Sequence, residues 1–218
     1  MPSSTATTKS TLAKSIQAEA DLAYSGSVSD NHCGPDITDF LVTVLNEFMN
    51  FKPIQDAKSW WDSGTQGNQA NALWLMAVVF YTGGPGDIKE RFRAIHTDHC
   101  PSGDCDSTVT ICGKCYDVDV TGNILFGVVG KTIGIPEDIL HKGAAIAQAI
   151  ATNVWVVPPK DTPADASAIN VGFCIYSKAN GADASISRDM LCECLSEAKG
   201  LNTKPSCTPC DEKWTPGH

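Results

Sequence analysis

The sequence predicts a compact, mainly α-helical domain of the α+β class, with one small β-hairpin and about five disulfides. Apolar residues make up 42% of the 218 residues, which is enough to form the core of one domain. Several segments carry apolar residues at helical spacing, whereas strand-like sequence is short. Ten cysteines, an even and dense set in loop-like sequence, are typical of disulfides made in an oxidising compartment.

The helical segments begin where a proline or an acidic residue follows a break. Pro35 and Asp36 suit the first turn of a helix, because proline presets the backbone angle and a carboxylate stabilises the helix dipole. The apolar stripe that follows ends near residues 49–50. Residues 69–81 are apolar nearly all round, which predicts a buried central helix. Further helices are predicted over residues 9–24, 56–62, 87–95, 121–134, 136–152 and 187–197.

Strand-like segments are few. Residues 108–111 and 114–118 can pair as a hairpin around the sequence Cys-Gly-Lys-Cys. Residues 169–177 are predicted to form a further strand after a surface loop over 161–168. In the helix over 121–134, two glycines at positions 127 and 130 share a face that can approach another helix closely.

The chain reads as one catalytic domain over residues 31–218, preceded by a polar segment over residues 1–30. The Ser/Thr-rich start is typical of an interdomain linker and lacks the apolar core of a signal peptide, so a signal has been removed or export follows another route. The longest apolar run, residues 72–81, is too short to span a membrane. We expect a secreted, extracellular monomer that does not insert into membranes.

Charge and cysteine spacing bear on partners and cofactors. The net charge is −9 and the 16 basic residues are scattered, which argues against binding to nucleic-acid phosphates. Zinc is the alternative to disulfides in one stretch, because Cys112-Gly-Lys-Cys115 resembles a zinc knuckle, but a second knuckle with matching spacing is missing. We therefore expect no metal, no cofactor and no nucleic-acid partner. The possible zinc ligands are His96, His99, Cys100, Cys105, Cys112 and Cys115.

Acidic residues beside backbone breaks are the candidates for chemistry. Asp36 and Asp87 each follow a Gly-Pro-containing break, although a helix start explains either of them without a function. Asp117 and Asp119 would point the same way in an extended segment, because strand side chains alternate. Two such carboxylates repel unless they are solvated, share a proton or bind a cation. Calcium is thus an alternative, although the spacing differs from that of the twelve-residue calcium loop.

Motifs of other hydrolytic chemistries are absent from the sequence. It has no serine-hydrolase elbow, no phosphate-binding glycine loop followed by lysine, and no His-Glu-x-x-His helix. The even cysteine count indicates paired cysteines rather than a cysteine nucleophile. Carboxylate chemistry remains, and glycoside cleavage is the commonest reaction that two carboxylates carry out.

Three segments, in this order along the chain, resemble the polymorphic toxin type 44 domain family. They are Gly34-Pro-Asp-Ile-Thr38, Gly83-Gly-Pro-Gly-Asp-Ile-Lys89, and residues 116–134 with the following Leu140 and Gly143-Ala-Ala-Ile-Ala-Gln148. Similar domains occur in secreted fungal muramidases, often attached to an SH3-like module that binds cell walls. Gly86 departs from the family's pattern, because an aromatic residue is expected before the aspartate.

The resemblance implies a lysozyme-like muramidase that cuts the β-1,4 bond between N-acetylmuramic acid and N-acetylglucosamine in bacterial peptidoglycan. We expect Asp36 and Asp119 to form the working pair, with Asp87 as the third carboxylate. The residues expected to bind the substrate are Thr38, Lys89, Asp117 and Asn123.

Three tryptophans are candidates for stacking on sugar rings. They are Trp60, Trp61 and Trp74, of which Trp74 is expected in the core instead. Two other functions remain open. The first is a different toxin-type hydrolase such as a nuclease, which the acidic composition disfavours. The second is a non-catalytic, disulfide-rich secreted effector or binding protein, which would lack a site lined by Asp36, Asp87 and Asp119.

Overall fold

A computed structural model describes residues 32–81, 83–89, 105, 107–152, 162–179 and 185–210, with the backbone alone over 146–152. Within these residues, helices dominate and a single antiparallel hairpin accompanies them, which confirms the predicted fold class. In chain order the elements are α1 (Thr38–Met49), α2 (Lys52–Asp62), α3 (Gln66–Phe80), β1 (Thr108–Ile111), β2 (Lys114–Asp117), α4 (Asp119–Ile133), α5 (Glu137–Thr152), α6 (Pro163–Lys178) and α7 (Arg188–Glu197).

Helix α4 is the centre of the fold, and α6 packs along it. The two helices approach closely because glycines face each other: a Cβ built on Gly127 would lie 3.1 Å from the Cα of Gly172. The predicted glycine face is therefore confirmed at Gly127. At Gly130 the neighbour is instead the side chain of Leu140 from α5. The two glycines therefore allow close contact with two different helices.

The hairpin follows from its turn. Cys112 and Gly113 both have positive φ angles, 52° and 71°, as a two-residue turn between twisted strands requires. The pairing runs from Thr108 opposite Asp117 to Ile111 opposite Lys114, as the sequence predicted. On its core side the hairpin buries Tyr116, and this burial raises the pKa of the phenol.

Two short segments widen the hairpin at its edges. Asp36 forms a parallel bridge with Thr110, and Ile37 N donates to Thr110 O at 3.0 Å. On the opposite edge, Thr203 bridges Tyr116 in the antiparallel sense. The chain before α1 and the chain after α7 are thus both tied to the hairpin.

Three disulfides are present among the described residues: Cys105–Cys207, Cys112–Cys192 and Cys174–Cys194. They join the segment before the hairpin to the chain after α7, the hairpin turn to α7, and α6 to α7. Cys33 and Cys115 are buried in one cluster with the first of these bridges. Cys100 lies outside the described residues.

The structure corrects one predicted element. Residues 169–177 are not a strand after a loop, because they belong to α6, which begins at Pro163. Thr162 caps this helix by accepting a hydrogen bond from the N–H of Asp165 at 3.1 Å. The β-branched and aromatic residues that suggested a strand instead form the face that α6 buries against α4.

A second correction concerns α3. Its inner face is buried through Ala72, Met76 and Val79, but its outer face is exposed, so the helix is not buried all round. The helix over 136–152 and the one over 187–197 are confirmed to within a residue as α5 and α7. The predicted helix over 9–24, the polar segment over 1–30, and most of the helix over 87–95 lie outside the described residues. Among the described residues, no helix is long and apolar enough to cross a membrane.

Candidate functional site

The turn after α3 places Asp87 under tight backbone control. Gly86 N donates to Val79 O at 2.9 Å, and Gly83 N donates to the Asp87 Oδ2 atom at 2.9 Å. The Asp87 residue is only 8% exposed, and its other oxygen, Oδ1, has no hydrogen-bond partner among the described residues. A buried carboxylate oxygen without a donor is uncommon, because it loses water without compensation. Such an atom marks a place where a ligand that donates a hydrogen bond would be stabilising.

Packing explains why glycine stands at position 86. A Cβ on Gly86 would lie 2.9 Å from the Phe80 ring and 3.0 Å from Val79. The Phe80 ring in turn packs edge-on against Phe126 of α4, with 5.2 Å between the ring centroids. An aromatic side chain at position 86 would therefore need Phe80 to move. The packing of Phe80 between α3 and α4 thus explains why this chain has glycine where the family's pattern has an aromatic residue.

Lys89 connects this turn to the start of α4. Its Nζ lies 3.6 Å from Asp119 Oδ1, with the two side chains 39% and 42% exposed. Asp119 is the first residue of α4, where the helix dipole favours a carboxylate. The structure thus places Lys89 beside Asp119, and the buried Asp87 lies two residues before Lys89 in the same turn.

Asp117 has a capping role beside this group. Its Oδ1 accepts a hydrogen bond from the N–H of Asp119 at 3.0 Å, and its Oδ2 accepts one from the side chain of Asn202 at 3.2 Å. Asp117 ends β2, but Val118 already has helical backbone angles and Asp119 begins α4, so the alternation expected for a strand does not extend from Asp117 to Asp119.

Asp36 belongs to a second group. Its Oδ1 accepts hydrogen bonds from the hydroxyl of Thr38 and from the N–H of Thr38, the latter at 2.9 Å. Thr38 is fully buried and also accepts a hydrogen bond from Cys112 N at 2.8 Å. Thr38, expected to bind the substrate, is therefore placed to orient Asp36 and is not itself open to solvent.

Arg188 completes the second group and was not expected from the sequence. Its guanidinium lies 2.8 Å from Asp39 and 3.8 Å from Asp36. Arg188 is the first residue of α7, where a cation opposes the helix dipole. A cation at a helix start is unfavourable unless an anion from elsewhere compensates it, and this was the one sign in the sequence that Arg188 has such a partner.

The two groups lie on different sides of the hairpin. The segment of Asp36 pairs with β1 on the edge away from β2, and β2 leads into Asp119. Two strand spacings, about 10 Å, therefore separate the backbone of Asp36 from that of β2. Asn123 lies one turn into α4 and donates to Asp165 Oδ1 at 2.8 Å, which ties it to the start of α6.

The three candidate tryptophans differ in their exposure to solvent. Trp60 and Trp61 of α2 are half-buried and pack on the core, and Trp61 lies against Gly134 at the end of α4. Trp74 is exposed on α3, contrary to its expected place in the core.

Among the described residues, no group of three or more His, Cys, Asp or Glu side chains is placed to hold a metal ion. Cys105 and Cys112, two of the possible zinc ligands, are in disulfides.

Comparison with known families bears on one part of the chain. Residues 76–178 match the family model described as Bacterial toxin 44. The match covers just under half of the chain and supports the resemblance to the polymorphic toxin family. It includes Asp87, Lys89 and Asp119 but not Asp36 or Arg188. No curated protein and no solved structure matches the chain.

Proposed function

We propose that the protein is a secreted muramidase, which hydrolyses the β-1,4 bond between N-acetylmuramic acid and N-acetylglucosamine in bacterial peptidoglycan. The observation that carries the proposal is the contact of Lys89 with Asp119, because the turn that leads to Lys89 also holds a second carboxylate, Asp87. Asp119 is open to solvent at a helix start, whereas Asp87 is buried with an oxygen that lacks a donor. Both lie in the segment that matches Bacterial toxin 44.

The chemistry of glycoside hydrolysis uses such a difference. One carboxyl must donate a proton to the leaving oxygen, and the other must activate water or attack the anomeric carbon. We assign the second role to Asp119, because water and substrate can reach it. We assign the first role to Asp87, whose Oδ1 has no hydrogen-bond donor in the described part of the chain.

Asp36 remains the other candidate partner of Asp119. Its carboxylate is held by Thr38 and lies near Arg188, so it is fixed in place as a catalytic group must be. The two assignments predict different variants to be inactive. Asp87→Asn abolishes proton donation if Asp87 is the acid, whereas Asp36→Asn does so if Asp36 is the acid.

The experiment is digestion of purified peptidoglycan, followed by borohydride reduction and mass spectrometry of the fragments. Wild-type protein should release fragments that end in reduced N-acetylmuramic acid. Asp119→Asn should lower the rate by a factor of about 10²–10⁴, the usual contribution of a general acid or base. Asp138→Asn is the matched control, because Asp138 is an exposed carboxylate paired with Lys142 on α5. Intact walls with wild-type protein across pH and salt would rule out the function.

A nuclease is the main enzymatic alternative within a toxin family. The net charge of −9 disfavours it, because this charge repels a nucleic-acid backbone and the 16 basic residues are scattered along the sequence. Incubation of the same preparation with plasmid DNA and with RNA, with and without Mg²⁺, separates the two. A secreted, non-catalytic binding protein would leave walls and nucleic acids intact. Three disulfides agree with an oxidising compartment for any of these functions.

A further inference from the structure

Helix α3 exposes an apolar stripe that its inner contacts do not explain. Trp74 is 66% exposed and Tyr81, directly after the helix, is 71% exposed. Val78 is exposed between them, and the spacing of four and three residues places all three on one side of the helix. Large exposed aromatic residues in one patch are typical of a binding surface.

The stripe is also uncharged. The sequence Gln66–Phe80 contains no Asp, Glu, Lys or Arg, in a chain with 41 such residues distributed over its length. The polar residues of α3 are amides, and Asn71 is exposed one turn before Trp74. A surface of aromatic rings and amides suits a neutral, polyhydroxylated ligand, because rings pack on apolar C–H faces while amides bind hydroxyl and N-acetyl groups.

The stripe is continuous with the carboxylate site. Tyr81 O accepts a hydrogen bond from Gly84 N at 2.6 Å, and Asp87 N donates to Gly84 O at 3.0 Å. The same turn therefore fixes Tyr81 at the end of the stripe and Asp87 at the start of the site. A chain-like ligand with one unit at this turn can extend over Tyr81 towards Trp74.

We propose that Trp74 and Tyr81 bind successive disaccharide units of an extended β-1,4-linked glycan strand, one end of which lies at Asp87 and Asp119. This inference rests on the proposed function, whose substrate is such a strand. Trp74 and Tyr81 are seven residues apart, about 10 Å along the helix axis. That separation is close to one disaccharide repeat of a β-1,4 glycan, so the two rings would contact sugars in equivalent positions.

Two other occupants fit the stripe less well. A second copy of the chain would bury only one helix face, about 20 Å long, whereas a stable interface needs roughly 800 Å² on each partner. An anionic membrane is disfavoured because α3 has no basic residue and the net charge is −9.

The test uses the double variant Trp74→Ala/Tyr81→Ala and, as matched control, Phe51→Ala, which removes a 41% exposed aromatic ring beside α2. Binding of the trimer and the hexamer of β-1,4-linked N-acetylglucosamine is measured by calorimetry in the Asp119→Asn background, which prevents cleavage. Loss of each ring should weaken hexamer binding about threefold to tenfold and leave trimer binding nearly unchanged. Phe51→Ala should bind both as the parent does. Unchanged circular dichroism and melting temperature show that the double variant folds.

The outcomes separate this inference from the proposed function. If walls stay intact but the hexamer binds through Trp74 and Tyr81, the muramidase is wrong and the glycan surface is correct. Equal hexamer binding by the double variant and its parent overturns the glycan surface, whatever the activity on walls. A dimer in light scattering that the double variant abolishes would assign the stripe to a second copy instead. Binding to phosphatidylcholine–phosphatidylglycerol vesicles that the double variant abolishes would assign it to a membrane.

Discussion

Replacing Gly127 by alanine should destabilise the protein, although alanine is the better helix former. At an open helical position, exchange of glycine for alanine stabilises a protein by about 0.4–1 kcal/mol, because the unfolded chain loses freedom. At Gly127 the added methyl group would lie 3.1 Å from the Cα of Gly172 and closer still to the carbonyl oxygen of Ile169. Both neighbours are backbone atoms, so neither can rotate away.

The cost of such overpacking is about 1–3 kcal/mol, from which the gain in helix propensity is subtracted. We expect a net loss of about 1–2 kcal/mol in the free energy of unfolding. For a chain of this size, 1 kcal/mol corresponds to about 2–4 °C in melting temperature. Gly127→Ala should therefore lower the melting temperature by about 2–8 °C.

Gly122→Ala is the matched control in the same helix. A Cβ at Gly122 has no neighbouring atom within 4 Å, so this variant should raise the melting temperature by about 1–4 °C. Gly172→Ala should behave like Gly127→Ala, because its Cβ would lie 2.8 Å from Val128 N. The assay is thermal unfolding by circular dichroism under non-reducing conditions. If Gly127→Ala and Gly122→Ala shift the melting temperature upwards alike, α4 and α6 do not approach as closely as described.

Three further perturbations test other parts of the fold. Asn46→Ala should destabilise by about 1–3 kcal/mol in denaturant titration, because the amide both donates to Ile186 O at 2.9 Å and accepts from Ile186 N at 2.8 Å. Removing the Cys112–Cys192 disulfide, which closes 80 residues, should cost about 4 kcal/mol by loop entropy, and an unchanged unfolding midpoint would contradict this pairing. Burial raises the pKa of Tyr116, so the unfolded state ionises first and stability should fall as pH rises above about 10. Tyrosine absorbance at 295 nm should show one phenol titrating late, and replacement by Phe should remove that pH dependence.

The sequence was most informative where local chemistry and tertiary structure favour the same element. Proline and two acids start α5, and a Cys-Gly pair forms the hairpin turn, so both elements appear almost where the sequence predicted them. In α6, local sequence preference and tertiary packing favour different elements. Its β-branched residues favour a strand locally, but Gly172 gives the segment a close contact with α4 that only a helix can make.

In the candidate site, the sequence predicted residues but not the contacts between them. Asp87, Lys89 and Asp119 were all nominated from breaks and resemblance, yet their sequence positions cannot show that Lys89 lies beside Asp119. Nor can they show that one oxygen of Asp87 is buried without a donor. Arg188 was missed because its partner, Asp39, is 149 residues away in the chain.

The sequence alone determined the helical class, the hairpin, the dense cysteines and the identity of the acidic residues, because each depends on composition or on spacing over a few residues. Only the tertiary structure decided which cation lies beside each carboxylate and which face of α3 remains exposed. An apolar helix such as α3 is buried wherever the fold supplies neighbours, and its sequence does not show how many it has. Trp74 is exposed on the outer face of α3, and this exposure is what leads from the fold to a proposed glycan surface.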